Sequence, residues 1–278
     1  MRRHITKDAV FSGSRMSTRH IKKCYRIRFP PQMVKARADV MLVARGMVET
    51  RAKAQALIMA GMVYAGTARV QKAGDLLAED AVLSVKGQDH PWVSRGGVKL
   101  AHGLAHFGFD PAGRVALDVG ASTGGFTDVL LTAGATRVYA VDVGHGQLAW
   151  KLRSDPRVVV LEKTNARHLT AAHIPEPVGA LVCDASFIGL QIVLPAALTF
   201  CAPGAFAVAL IKPQFEAGPA HVGKGGVVRD PAVHTAVCEK IVDWWAGLDG
   251  WEVKGLTKSP ITGPEGNVEF LVGAVKGH

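Results

Sequence analysis

Val115-Ala-Leu-Asp118-Val-Gly120-Ala-Ser122-Thr123-Gly124-Gly125-Phe126 is the stretch on which the fold turns. Five residues rich in branched apolar side chains read as a strand buried on both faces, and they run straight into a loop of small residues. The spacing predicts a helix to Ala133, stopped by Gly134, then a second strand from Arg137 to Val143 with Asp142 near its end. That is a strand-loop-helix-strand unit whose loop lets backbone approach a ligand, with a carboxylate one strand later.

Two ligand chemistries fit such a unit. A dinucleotide site spaces its glycines as G-x-G-x-x-G so that a pyrophosphate rests on the helix N-terminus. Here the spacing is G-x-x-x-G-G, with Ser122 in the middle. A sulfonium cofactor has no phosphate; it needs room beside the strand and an acid to accept from its ribose hydroxyls. Asp142 is placed for that acid, and Asp118 for ordering the loop or meeting the cofactor's ammonium. Gly124 and Gly125 are also compatible with a tight turn that binds nothing.

Further strands are expected at 158–162, 180–183, 205–211, 251–257 and 267–272, with helices at 190–200 and 231–246. Seven strands with intervening helices predict an α/β fold, one doubly wound Rossmann-like sheet, preceded by a small α+β module. Ligands of such sheets sit at the carboxyl ends of the strands. Polar residues stand there: Asp184 after Leu-Val-Cys, and Lys212 after Ala-Leu-Ile, followed by Pro213. Lys99 lies ahead of the first strand, in Ser94-Arg-Gly-Gly-Val-Lys99, and Glu269 is expected within the last strand. Singly, each has an ordinary structural explanation. Together, two lysines and two acids suit activation of a weakly acidic hydroxyl. A neighbouring cation and desolvation lower an amine's pKa, and carboxylates raise it.

Upstream, an apolar face on Val40, Leu42, Val43 and Met47 predicts a short helix ending at Gly46. Thr50 is a good N-cap for a second helix from Arg51 to Ala60, closed by Gly61. Short strands are expected at 62–64, 68–70 and 81–86. Arg37, Arg45, Arg51 and Lys53 cluster around the two helices, the one-sided basic face that RNA phosphates and 2′-hydroxyls require.

Net charge is +10, unevenly spread. Residues 1–34 hold nine Lys or Arg and one acid, residues 35–90 eight and six, and the remainder sixteen of each. The first 34 residues therefore read as a basic tail, expected to be disordered: an RNA-touching arm, a transit segment, or the product of an over-long start, since Met16 and Met33 both follow. The longest central apolar run, 205–211, is far short of the roughly 20 residues that span a bilayer. Cys24, Cys183, Cys201 and Cys238 form no C-x-x-C pair. A cytoplasmic setting with neither disulfides nor a metal site is expected.

Arg37-Ala-Asp39-x-x-Leu42 and Thr50-Arg51-x-x-Ala54-x-x-Leu57-Ile58-x-x-Gly61-x-Val63 resemble the S-four class of RNA-binding domain. Tyr64-Ala65-Gly66 stands where that class usually has Val-Asn-Gly. The order Lys99, Asp184, Lys212, Glu269 resembles the tetrad of the FtsJ-like ribose 2′-O-methyltransferases. Longer strings are closest to the TlyA (hemolysin A) family of rRNA methyltransferases: Asp118 to Asp128, Tyr139 to Gly144, Gln147 to Trp150, Thr164 to Arg167, Ile211 to Glu216, Gly223 to Asp230 and Ile261 to Asn267. A β-branched residue is common in that family where this chain has Ala185.

The resemblance implies an RNA-binding domain over 35–90 and a methyltransferase domain over 91–278. The cofactor it implies is S-adenosyl-L-methionine, and the substrate a cytidine 2′-hydroxyl of ribosomal RNA, free or in ribosomal subunits. It makes Lys212 the hydroxyl-activating residue, tuned by Lys99 and Asp184 and completed by Glu269. The cofactor would lie on Gly120, Ser122, Thr123, Gly124, Phe126, Asp142 and, at its adenine end, Asn165. The basic residues of the two upstream helices become RNA contacts. A pore-forming protein, which the hemolysin name evokes, lacks any supporting segment. A non-catalytic RNA-binding shell would not need the tetrad, and an NAD-dependent enzyme fits the glycine spacing poorly.

Overall fold

The structure is a computed structural model and describes residues 35–48, 50–85 and 90–277. The basic tail of residues 1–34 lies outside them.

The upstream module is built from β1 (Lys35–Arg37), α1 (Ala38–Ala44), α2 (Arg51–Met59), β2 (Val63–Ala65), β3 (Ala68–Arg69), β4 (Leu76–Ala78) and β5 (Leu83–Val85). Thr50 caps α2 as expected, its Oγ1 accepting from the Lys53 N–H at 3.2 Å. β2 pairs with β3 and β5, and β1 with β4, all antiparallel. The β1–β4 ladder is absent from the sequence reading: each partner is three residues long, too short for a periodic signal. The apolar face of α1 also differs. Ala38, Met41 and Leu42 are buried, whereas Val40 is exposed. The helix begins at Ala38, so positions i, i+3 and i+4 counted from there turn inward. With Ala54, Ile58, Val63, Val70 and Leu83 they form a core of the module's own.

The larger part comprises α3 (Gly96–Phe107), β6 (Val115–Val119), α4 (Gly125–Thr132), β7 (Arg137–Val141), α5 (Trp150–Arg153), β8 (Val158–Leu161), β9 (Val178–Cys183), α6 (Leu190–Val193), α7 (Pro195–Leu198), β10 (Cys201–Ile211), α8 (Pro213–Glu216), α9 (Pro231–Ala246), β11 (Trp251–Lys258) and β12 (Phe270–Lys276). Seven strands form one sheet in the order β11-β12-β10-β9-β6-β7-β8, and β12 runs antiparallel to both neighbours. The helix expected over 190–200 is two short ones, because Pro195 has no N–H to continue α6.

Period-two alternation splits the strands between two cores. Along β10, Phe206, Val208 and Leu210 face α3, α4 and α5, whereas Ala207, Ala209 and Ile211 face α6, α7 and α9. β6 and β9 do the same, with Ala116, Ala180 and Val182 on the first side and Leu117, Leu181 and Cys183 on the second. Burial on both faces is why these strands read as unbroken apolar runs. It also leaves only their carboxyl ends for polar chemistry.

Candidate active site

β6 ends at Val119, and the chain turns at Gly120 with φ +84°. A side chain there would place its Cβ 2.8 Å from the backbone nitrogen of Ala185, so the missing atom is what lets the loop lie against the end of β9. The loop is then pinned from the next strand. Asp142 accepts from the Ser122 N–H at 2.8 Å through one oxygen and from the Gly144 N–H at 2.6 Å through the other. Ser122 is held at φ +48°, unusual for a residue with a side chain.

Two hollows, each of about 460 Å³, meet at this loop and share Gly120, Ser122, Asp184 and Ser186. The first extends past Asp142 to Thr164 and Asn165, with Val143 and Ile188 as apolar walls. Asn165 Oδ1 accepts from the Arg167 N–H at 3.1 Å, which fixes its amide at the mouth. The second hollow reaches Lys99, Thr123, Phe126 and Lys212.

Gly124 and Asp118 face neither hollow. A Cβ on Gly124 would come within 2.2 Å of the Leu152 side chain, so this glycine makes room for α5. Asp118 is fully buried and accepts from Thr127 Oγ1 at 2.7 Å, tying β6 to α4, while its other oxygen has no hydrogen-bond partner. Burial pushes its carboxyl up to about 7, with the nearby carboxylates of Asp184 and Asp142 adding to the rise.

The four tetrad residues converge. Lys212 follows β10, and its Nζ lies 2.6 Å from Asp184 Oδ1, 2.8 Å from Ser186 Oγ and 3.2 Å from the Asp184 carbonyl. Asp184, one residue past β9, also faces Lys99 at 3.8 Å through Oδ2. Lys99 Nζ donates to Glu269 Oε2 at 2.6 Å. An alternating chain results: amine, carboxylate, amine, carboxylate. Lys99 and Lys212 are each only 7% exposed and Glu269 only 1%, so Lys99, Asp184 and Lys212 line the cleft while Glu269 is buried behind Lys99.

Lys99 sits on the buried face of helix α3, beside Leu100 and Gly103, ahead of the first strand of the sheet. One placement corrects the sequence reading: Glu269 precedes β12 instead of lying within it, because the ladder with β10 begins at Phe270. A Cβ on Gly263 would come 2.2 Å from Glu269 Oε1, so that glycine is what admits the carboxylate. Asn267 links the neighbouring loops, accepting from the Val228 N–H and donating to the Gly226 carbonyl.

Sequence reading missed Ser186, Gln147 and Phe187. Ser186 completes the acceptors around Lys212, and Gln147 Oε1 accepts from Ser122 Oγ at 3.3 Å. Phe187 is 89% exposed at φ +64°, on the wall of the first hollow, its ring centroid 5.0 Å from that of Phe215. An aromatic residue in a run of small ones past a strand end was the available signal.

The four basic residues expected to contact RNA divide. Arg37 and Arg51 converge on the buried Asp39, at 3.0 and 2.9 Å, and Gln55 joins them. The Arg37 guanidinium, ahead of Arg51 and Gln55, holds that carboxyl far below the usual range, against the opposing effect of burial. Arg45 donates to the carbonyls of Glu79 and Ala81. Lys53 is exposed on α2.

The sequence pattern that defines the FtsJ-like methyltransferases matches residues 92–276, which cover the whole seven-stranded sheet and all four tetrad residues. The chain belongs to that family. Within it, the chain is 47% identical over 239 residues to the 16S/23S rRNA (cytidine-2′-O)-methyltransferase TlyA of Mycobacterium tuberculosis, covering 86% of this chain and 89% of that one. It is 38% identical to Hemolysin A of Brachyspira hyodysenteriae, covering 84% and 98%. A solved hemolysin-named structure from Streptococcus thermophilus superposes with a TM-score of 0.67 at 42% identity, covering 88% of this chain and 90% of that one. As an FtsJ-like protein of the TlyA and hemolysin A branch, this chain is a methyltransferase. No helix among its described residues is long and apolar enough to cross a membrane.

Proposed function

We propose that this enzyme transfers a methyl group from S-adenosyl-L-methionine to the ribose 2′-hydroxyl of a cytidine in ribosomal RNA, and that residues 35–90 bind that RNA. The single observation that supports the reaction best is the alternating chain Lys212–Asp184–Lys99–Glu269 beside the Gly120 loop.

The first hollow fits the cofactor on its own chemistry. Asp142 has both oxygens anchored by backbone yet keeps lone pairs for two ribose hydroxyls. Asn165 offers an amide, and Val143 and Ile188 an apolar slot for a purine, with no cluster of cations calling for a phosphate. When bound, S-adenosylmethionine supplies a methyl carbon made electrophilic by its sulfonium.

The chain's own residues would then do three things. Lys212, on the wall of the second hollow and beside the Asp184 and Ser186 that both hollows share, takes the proton that the 2′-hydroxyl gives up. Asp184 and Ser186 fix where that nitrogen sits. Lys99 balances the charge of Asp184 and is itself held by Glu269. Positioning of this kind is worth several orders of magnitude in rate, because the acceptor is a poor nucleophile in water.

The relative from Mycobacterium tuberculosis is named for cytidine 2′-O-methylation of 16S and 23S ribosomal RNA, which supports the same acceptor here. A ribosomal substrate also implies work in the cytoplasm. Purified enzyme given S-adenosylmethionine is expected to label ribosomal RNA on ribose. Lys212→Ala is expected to lower that labelling by at least about 10²-fold, the contribution typical of a general base, while cofactor binding by calorimetry persists. Labelling that survived the substitution would remove Lys212 from the reaction.

A further inference from the structure

A third hollow, of about 430 Å³, lies between the β5 end of the upstream module and the α5 face of the sheet domain, and the chemistry above makes no use of it. Two large apolar side chains on its wall are exposed. Trp150, the first residue of α5, is 62% exposed, and Val82 opposite is 74% exposed. Trp92 forms a more fixed wall, since a Cβ on Gly97 would touch its ring at 2.3 Å.

The two cations around it already have partners. Arg45 is committed to the carbonyls of Glu79 and Ala81, and Lys151 Nζ pairs with Asp128 at 2.9 Å. Glu79 and Asp80 add two carboxylates to the same rim. A phosphate finds no surplus of positive charge there, whereas a flat, neutral, aromatic group finds an exposed indole to lie on.

Two structural ties join this hollow to the catalytic cleft. Asp128 accepts from the Val93 N–H at 2.9 Å, fixing a segment that continues into Ser94 and Arg95 of the cleft wall. The Ala149 N–H donates to the Thr123 carbonyl at 3.1 Å, so the start of α5 is bonded to the loop that also lines the cleft. An RNA strand that offers a 2′-hydroxyl to Lys212 must leave regular A-form stacking, and its unstacked neighbours then need surfaces of their own.

We propose that this hollow receives an unpaired nucleobase of the same RNA strand, stacked on the Trp150 indole, and so selects substrates that are single-stranded beside the methylated nucleotide. The inference rests on the ribosomal RNA reading above and has a separate test. Trp150→Ala in the full chain is expected to raise KM for ribosomal RNA roughly tenfold, the scale of one base–aromatic stacking contact. The same variant is expected to leave kcat, cofactor affinity and thermal midpoint at the parent's values, and Trp150→Phe to restore most of the loss. A ribosomal RNA transcript carrying 4-thiouridine is expected to cross-link to the peptide containing Trp150.

An unchanged KM in Trp150→Ala, or cross-links that avoid this peptide while the parent still methylates, would overturn the base site and leave the function standing. A KM raised only for assembled subunits, and not for protein-free RNA, would assign the hollow to a protein partner and likewise overturn it. Failure of the parent to label ribosomal RNA at all would sink the function itself.

Discussion

Asp118 shows how far a residue's type can be read and where its surroundings take over. An acid after a buried strand was legible as part of the ligand loop, but its carboxyl is sealed from both hollows and bonded to Thr127. Burial carries its pKa from 3.8 to about 7. Between those values the folded chain keeps a proton that the unfolded chain has lost, so stability falls as pH rises through the window. Asp118→Asn fixes the neutral form and is expected to gain stability relative to the parent between about pH 4 and 7, by up to a few kcal/mol. Urea unfolding of both proteins across that range measures the difference. A flat difference would mean that Asp118 ionises like an exposed carboxylate. Gly124 teaches the same lesson: a ligand-loop glycine in sequence, it serves the packing of Leu152 in space.

Among the elements, α3 does more for the site than its sequence announced. It carries Lys99, and it reaches the sheet only because small residues let it in. Phe107, at its last turn, lies over Gly273 of β12, where a Cβ would stand 2.6 Å from the ring's Cγ. Gly273→Ala is expected to cost about 1–3 kcal/mol, the range for overpacking a well-filled core. It is also expected to lower kcat beyond what partial unfolding explains, because α3 must shift and Lys99 shifts with it. Thermal denaturation and single-turnover rates on the same preparation check both halves. α9 was legible at its observed bounds because periodicity accumulates over its sixteen residues, and β6 because its apolar run ends in a glycine loop. β1, β4 and the break at Pro195 were not, because a three-residue ladder leaves no local pattern and a proline between apolar residues reads as helix until its missing bond is counted.

At the scale of the whole molecule, the net charge of +10 says little about where RNA would bind, because residues 91–278 are balanced. What matters is which cations have charge to spare. Arg37 and Arg51 are held by the buried Asp39, and Arg45 by two carbonyls; each has a structural task as well as any RNA contact. Lys53→Gln is therefore expected to reduce the slope of log affinity against log salt by nearly one, leaving the thermal midpoint alone. Arg51→Gln is expected to lower the midpoint too, since it strips a partner from a buried carboxylate. Filter binding of ribosomal RNA at several salt concentrations, beside a melting curve, separates the two. Identical behaviour of both variants would argue against the division.

The sequence by itself determined the doubly wound sheet, the loop after its first strand and the four residue types of the tetrad, because backbone preference and side-chain alternation act over a few neighbours. It could not decide that an amine on α3 and a carboxylate 170 positions later stand 2.6 Å apart, or that Phe187 and Trp150 face solvent while Asp118 does not. Those outcomes depend on which strands lie side by side and which helices cover them. That order is set by the fit of the two cores as a whole, which no local stretch of chain contains.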